Sequence, residues 1–257
     1  MTDTFKKFKN LHHSPELFIL PNAWDAKSAH LFQEKGFEAV GTSSAAIATA
    51  LGYEDGEGMP FEDYLFVLKR ILATVHIPVS VDMEMGYGKS NDKIVENIGR
   101  LIEAGVVGIN IEDSLIVNSK RILGDATAFA RKIEYIRNQL ASKNLSLFIN
   151  IRCDTYILNV SDLKKETASR LTTYQNTGAD GIFLPCISQE QDIAEAVSNS
   201  TLPINVMCVP GLPDFNRLNQ LGVKRASMGP FLFTKTYGRA AELMQEIRDK
   251  KSFSPIL

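Results

Sequence analysis

Short apolar runs alternate with longer amphipathic stretches from one end of the chain to the other. The runs fall at residues 17–20, 39–41, 78–82, 107–111, 147–151, 181–184, 203–207 and 223–227. Runs of this length bounded by polar or glycine positions predict strands. Between them, apolar residues recur at helical spacing. Such stretches run up to Gly36 and over residues 61–74, 94–104, 126–140, 163–176, 193–197, 215–221 and 231–247. Gly105 and Gly178 stand where a helix C-terminus favours glycine. Residues 42–60 are expected to be a loop. Eight β–α units in series with short connections predict a parallel sheet closed into a (β/α)8 TIM barrel. An open doubly wound sheet is the competing arrangement, and the count of eight favours closure. No linker or low-complexity tract divides the chain, so residues 1–257 read as one barrel domain.

Composition narrows the function without naming it. A length of 257 residues suffices for one large core, and the net charge of -2 gives no polyanion-binding surface. Nucleic acid is therefore not an expected partner. No apolar run approaches the ~18 residues of a membrane span, so a membrane is not expected either. The first ten residues, MTDTFKKFKN, lack the apolar core of a signal peptide. Cys153, Cys186 and Cys208 are too few for a disulfide framework. These features predict a cytoplasmic protein.

In a barrel of this type the C-terminal strand ends form the active rim. The residues there are Asn22 and Asp25; Thr42, Ser43 and Ser44; Asp82 and Glu84; Glu112 and Asp113; Arg152 and Asp154; Asn205; and Arg225 and Ser227. Four acids from two neighbouring strands are costly at one rim unless something positive offsets them. The alternative is that they cap helices or pair with lysines. None of the four histidines, His12, His13, His30 and His76, falls at a strand end. Hard oxygen ligands without histidines select Mg²⁺ or Mn²⁺ rather than zinc. A thiolate site is not expected: if Arg152 points into the barrel, Cys153 points outward.

Several motifs then carry a resemblance. Val81-Asp82-Met83-Glu84-Met85-Gly86-Tyr87-Gly88 resembles the Asp-x-Asp/Glu-x-Gly-Tyr/Phe-Gly segment of the isocitrate lyase/phosphoenolpyruvate mutase superfamily. Gly108-Ile109-Asn110-Ile111-Glu112-Asp113 is similar to its Gly-x-x-Ile-Glu-Asp strand. Pro21-Asn22-Ala23-Trp24-Asp25-Ala26 and Leu51-Gly52-Tyr53-Glu54-Asp55 resemble two further segments. The likeness runs from about residue 17 to 235 with the motifs in order. It implies a small carboxylate substrate, Mg²⁺ held directly by Asp82, and Asp55, Glu84 and Glu112 holding the metal's waters. Asp55 is alternatively a turn residue in Glu54-Asp55-Gly56. Backbone N–H groups around Ser43, Ser44 and Ala45 would cradle a carboxylate, as the matching family loop does. Arg152 would grip the other end of the substrate, or instead partner Asp154 or Glu112. Asn205 would be a neutral donor or a structural residue. Ser227-Met228-Gly229-Pro230 reads equally as a phosphate loop or as a helix start with proline in its first turn.

The loop after the fourth strand departs from the family. The C–C lyases carry a Lys-Lys/Arg-Cys-Gly-His segment there, whereas this chain reads Ser114-Leu115-Ile116-Val117-Asn118-Ser119-Lys120-Arg121. By spacing, Lys120 stands where the cysteine would be. It is the candidate proton carrier beside Arg152 and Glu112, or else a solvated surface lysine. Asn118-Ser119 echoes half of the mutase Lys-x-Asn-Ser segment, displaced, and Gly41 stands where mutases place a tryptophan. Residues 114–124 are expected to form a polar loop without an apolar anchor, mobile when empty. Three readings stay open: a C–C lyase acting through an enolate, a P–C bond enzyme, and a barrel that binds a carboxylate without turnover. The resemblance also implies a homo-oligomer, dimer or tetramer, with residues 240–247 exchanged between subunits.

Overall fold

The computed structural model describes residues 2–257. Eight parallel strand positions close into a barrel wrapped by helices. The first position is split at Pro21 into β1 (Phe18–Leu20) and β2 (Asn22–Ala23). It is followed by β3 (Val40–Thr42), β4 (Val79–Asp82) and β5 (Gly108–Glu112). A two-stranded hairpin, β6 (Ser114–Val117) and β7 (Lys120–Leu123), leaves the rim after β5. The barrel resumes with β8 (Phe148–Arg152), β9 (Gly181–Leu184), β10 (Ile204–Met207) and β11 (Arg225–Ser227). Closure runs through the split strand: β1 pairs with β11 and β2 pairs with β3. Asn22 staples the seam, its Oδ1 accepting from Met228 N (2.8 Å) and Gly229 N (3.0 Å).

The helices in chain order are α1 (Asp3–His13), α2 (Ala26–Glu34), α3 (Ser44–Leu51), α4 (Phe61–Leu72) and α5 (Asn91–Ala104). Then come α6 (Ala126–Ser142), α7 (Leu163–Tyr174), α8 (Glu190–Ser198), α9 (Phe215–Gln220) and α10 (Phe231–Lys250). The main core lies between sheet and helices, where Val81, Ile109, Ile111, Ile149, Ile151 and Val206 point outward from their strands. Cys153 belongs to this helix-side core, as alternation requires.

Besides the hairpin, two α-helices were not expected from the pattern. α1 closes the bottom of the barrel: Phe5 and Phe8 pack with Phe18, Val107 and Phe148, residues at strand starts. Gly108 makes room for it, since a Cβ there would meet Phe8 Cε1 at 2.6 Å. α3 replaces the first part of the expected loop. It is capped by Ser43, whose side chain accepts from Ala46 N (3.2 Å), and stopped by Gly52 at φ 80°. Among the described residues, no helix is long and apolar enough to cross a membrane.

Candidate active site

The strand ends surround a cavity of about 190 Å³ at the C-terminal mouth of the barrel. Asp82 enters from β4, Arg152 from β8, and Ser43, Ser44 and Ala45 from the start of α3. Asp55 stands on the wall from the loop before α4, and Asn110 and Phe183 also line the cavity. A helix start leaves N–H groups without intrahelical partners and carries partial positive charge, so this edge of the cavity suits a carboxylate.

Asp82 is fixed from three sides. Its N–H donates to Thr42 Oγ1 (3.1 Å), its carbonyl accepts from Tyr64 OH (2.8 Å), and its Oδ2 accepts from Ser44 Oγ (2.9 Å). Its other oxygen, Oδ1, is buried without a hydrogen-bond partner. Burial pushes the Asp82 pKa up, while Arg152 and the Ser44 hydroxyl oppose the shift.

Glu112 and Asp154 lie beside the cavity in a buried ion-pair network. Arg152 donates from Nε to Asp154 Oδ1 (2.6 Å), and its Nη1 lies 2.9 Å from Glu112 Oε2 and 3.8 Å from Asp82 Oδ2. Burial works against the Arg152 charge, but Asp154 and Asp82 hold its pKa above the ordinary value. Arg121, from the hairpin, pairs with Glu112 and lies 3.5 Å from both Asp154 and Asp55. Asp113 faces the other way, as its place next to Glu112 dictates. It accepts from Arg170 and Tyr174 of α7, both at 2.8 Å, and anchors that helix.

Four sequence expectations change here. Glu84 does not line the cavity. Its φ of 48° turns it back into the wall, where Oε1 accepts from Tyr87 OH (2.6 Å) and Oε2 from Glu57 N (2.7 Å). Asn205 is the second residue of its strand, fully buried below the cavity floor, and Met207 holds the rim position instead. The segment 114–124 is not an unanchored polar loop but the β6–β7 hairpin. Within it Lys120 is exposed and Arg121 turns inward, so the residue that reaches the acids is Arg121. In the last of the four, the N–H groups of Met228 and Gly229, which a phosphate loop would use, are taken by Asn22. Asp25, read at a strand end, caps α2 through Ser28 N (2.7 Å).

The balance of charge bears on a cation. Asp55, Asp82, Glu84, Glu112 and Asp154 are met by Arg121 and Arg152 in ion pairs and by Arg225, which acts on Asp82 from below, an excess of two negative charges if all ionise. Among the described residues, no three His, Cys, Asp or Glu side chains converge as a direct metal cage. The arrangement fits a hard cation held by one carboxylate, since Mg²⁺ keeps most of its waters. The free Asp82 Oδ1 is the matching atom.

The same crowding sets a pH dependence. Burial, with Asp55 and Asp82 nearby, pushes Glu84 from its ordinary 4.5 up to about 7. An acid raised in the folded state binds more protons folded than unfolded between those values, so stability falls as pH rises through that window. In EDTA, the wild-type protein is expected to lose up to about 3 kcal/mol through this group between pH 5 and 8. Glu84→Gln should flatten that part of the slope. Urea unfolding at the two pH values measures it, and equal slopes for both proteins would mean that Glu84 titrates normally.

Comparison with known proteins agrees with the motifs. The family model for phosphoenolpyruvate phosphomutase matches residues 8–248. An uncharacterized protein of Mycobacterium tuberculosis is 34% identical over 242 residues, 94% of this chain and 89% of that one. Oxaloacetate decarboxylase 1 of Pseudomonas fluorescens is 28% identical over 228 residues, 86% of this chain and 77% of that one. The crystal structure of a candidate phosphonomutase from Burkholderia cenocepacia superposes with a TM-score of 0.88 at 33% identity, covering 95% of this chain and all of that one. This chain belongs to the phosphoenolpyruvate phosphomutase family, within the isocitrate lyase/phosphoenolpyruvate mutase superfamily of lyases and phosphonomutases, and is an enzyme of that superfamily.

Proposed function

We propose that the protein is a Mg²⁺-dependent lyase that breaks a C–C bond of a small 2-oxo carboxylate, with a 2-oxo dicarboxylate such as oxaloacetate as the leading substrate. The observation that carries this reading is the unpartnered Asp82 Oδ1 on a small cavity, flanked by the start of α3 and by Arg152. The decarboxylase relative points to the same substrate class. Mn²⁺ is the alternative cation. Asp82 would hold the ion directly, with Asp55 and Glu112 toward its waters, and Glu84 buttressing the loop at Glu57. When bound, the ion supplies Lewis-acid stabilisation of charge on the 2-oxo oxygen.

The rest falls to the chain. The N–H groups of Ser44 and Ala45 orient one substrate carboxylate, and Arg152, held at Nε and Nη2 by Asp154 and at Nη1 by Glu112, presents its remaining N–H groups to the other. When the C–C bond breaks, its electron pair moves into the carbonyl as an enolate, and CO₂ or a carbonyl fragment leaves. A proton must then reach the enolate carbon.

The test is a panel of oxaloacetate, 2-methylisocitrate, isocitrate, phosphonopyruvate and phosphoenolpyruvate with Mg²⁺. Release of pyruvate from oxaloacetate is the expected result. Turnover of the phosphonate alone would replace the C–C reading by the P–C one, which the Burkholderia relative favours. No turnover of any would leave a carboxylate-binding barrel.

The substrate is the only partner proposed besides further copies of the chain. Of the residues of α10 only Phe233 is buried, while Tyr237 and Met244 are 56% and 60% exposed. A helix with apolar side chains left in water calls for a covering surface. We propose a homodimer or homotetramer joined through it. Light scattering should give a multiple of the 28.5 kDa chain mass. Deleting residues 238–257 should give a monomer, and an unchanged mass would remove α10 from the interface.

A further inference from the structure

A second polar layer lies inside the barrel, one inward position below Glu112 and Arg152. Asn110 on β5, Asn150 on β8, Asn205 on β10 and Arg225 on β11 are all buried there. Asn205 Nδ2 donates to Asn150 Oδ1 (2.6 Å), and Asn150 Nδ2 donates to Asn110 Oδ1 (2.8 Å). Arg225 reaches across the barrel and donates from Nη2 to the same Asn110 oxygen (3.0 Å). The strand between Asn150 and Asn205 is β9, and it contributes Gly181. A Cβ there would meet Asn150 Oδ1 at 2.8 Å and Asn205 Nδ2 at 3.1 Å, so only glycine leaves the passage open.

The row has one possible direction. Turning a carboxamide end for end exchanges its donor for its acceptor, but a guanidinium has donors only. The atom of Asn110 that faces Arg225 must therefore be oxygen. Asn150 must then donate to Asn110, and Asn205 to Asn150. The two ends differ in consequence. At one, Asn205 Oδ1 is buried without a partner. At the other, Asn110 has its oxygen engaged twice from below and lines the active cavity, which leaves its Nδ2 for the cavity.

Arg225 is an unusual residue to find there. Its contacts are Asn110, His12 Nε2 at 3.5 Å and the face of Phe183 at 5.9 Å; no carboxylate touches it, and the attraction of the more distant Asp82 does not make up for its burial, which lowers its pKa. A buried cation without a paired anion is costly, and packing alone would favour an apolar side chain. What only a donor-only group supplies is the polarity of the amide row.

We propose that Asn110 contacts the substrate through Nδ2 and that Arg225 is a positioning residue that acts through Asn110, fixing its amide as a donor toward an oxygen of the bound carboxylate. A neutral donor suits this floor, because it binds an anion without competing for Asp82 as a lysine or arginine would. The inference rests on the proposed function only in taking the ligand to be a small carboxylate.

Calorimetric titration with oxalate in saturating Mg²⁺ tests it. Asn110→Ala should weaken oxalate roughly tenfold, the loss of one hydrogen bond to a charged group. Arg225→Lys, still donor-only, should stay near wild type. Arg225→Gln, whose amide can face either way, should weaken binding about as much as Asn110→Ala. The double variant should be no weaker than Asn110→Ala alone, since both act through one group. Unchanged affinity in Asn110→Ala overturns the inference, and that variant decides even if Arg225→Gln fails to fold. Lower melting temperature in Arg225→Gln with wild-type affinity makes Arg225 merely structural and overturns its positioning role. Failure of the wild-type protein to bind oxalate takes down the proposed function and the donor role together.

Discussion

Asp82→Ala is expected to remove Mg²⁺-dependent oxalate binding and to lower turnover by on the order of 10³-fold or more. The protein should remain folded. Asp82 contributes to the fold chiefly through its backbone, whose N–H and carbonyl bond Thr42 and Tyr64 whatever the side chain. Burial of the carboxylate raises its pKa, with repulsion from Asp55 and Asp154 added and outweighing what Arg152 and Ser44 give back, so its removal relieves a net desolvation cost. In EDTA the variant should therefore melt at or above the wild-type temperature. A site built to hold a cation costs stability when metal-free, whereas an acid present for packing stabilises. Titration of both proteins with oxalate, with Mg²⁺ and with EDTA, decides the matter. Oxalate binding equally tight in EDTA, or retained by Asp82→Ala, would sink the metal assignment.

The barrel was legible because buried parallel strands write themselves as short apolar runs, and each of the eight runs became a strand position. What the periodicity could not give was whatever depends on one element meeting another. α1 has a clear face, Phe5, Phe8 and His12, and a cap at Thr2. Its reason for folding, a barrel bottom to close, exists only in three dimensions. The hairpin was more nearly readable. Asn118 and Ser119 both take positive φ, 49° and 59°, as the two central residues of a type I′ turn require. They separate Leu115-Ile116-Val117 from Ile122-Leu123, an apolar flank that the polar reading of the loop passed over.

The site divides along the same line. Asp55, Asp82, Arg152 and the Ser43–Ala45 segment meet in the cavity, because strand ends and a helix start fix their places. Glu84 escapes, since alternation along a strand says nothing once the chain turns left-handed. Asn205 and Arg225 were assigned to the right strands but too high along them, by one inward position. Nothing in the linear sequence states how far a strand extends past its last apolar residue.

The largest effect expected away from Asp82 lies in the hairpin. Lys120 and Arg121 are adjacent in an extended strand, so their side chains take opposite faces and only one can meet the acids. In the paired register Val117 faces Lys120 and Ile116 faces Arg121. With Arg121 turned in, its guanidinium ties the hairpin to Glu112 on β5, Asp154 beyond β8 and Asp55 on the cavity wall. It also donates to Ser114 Oγ (2.9 Å), which in turn donates to Asp154 (2.7 Å). Arg121→Ala should free the hairpin and leave two buried carboxylates less compensated. We expect kcat to fall by on the order of 10²-fold, the scale of a small misplacement in an active site. Lys120→Ala should stay within about twofold, as for a solvated side chain. Steady-state kinetics of the two variants on the substrate that the panel identifies provide the measurement. A large loss in Lys120→Ala with Arg121→Ala near wild type would reverse the assignment: the hairpin would have to turn over during catalysis and deliver the lysine as proton carrier.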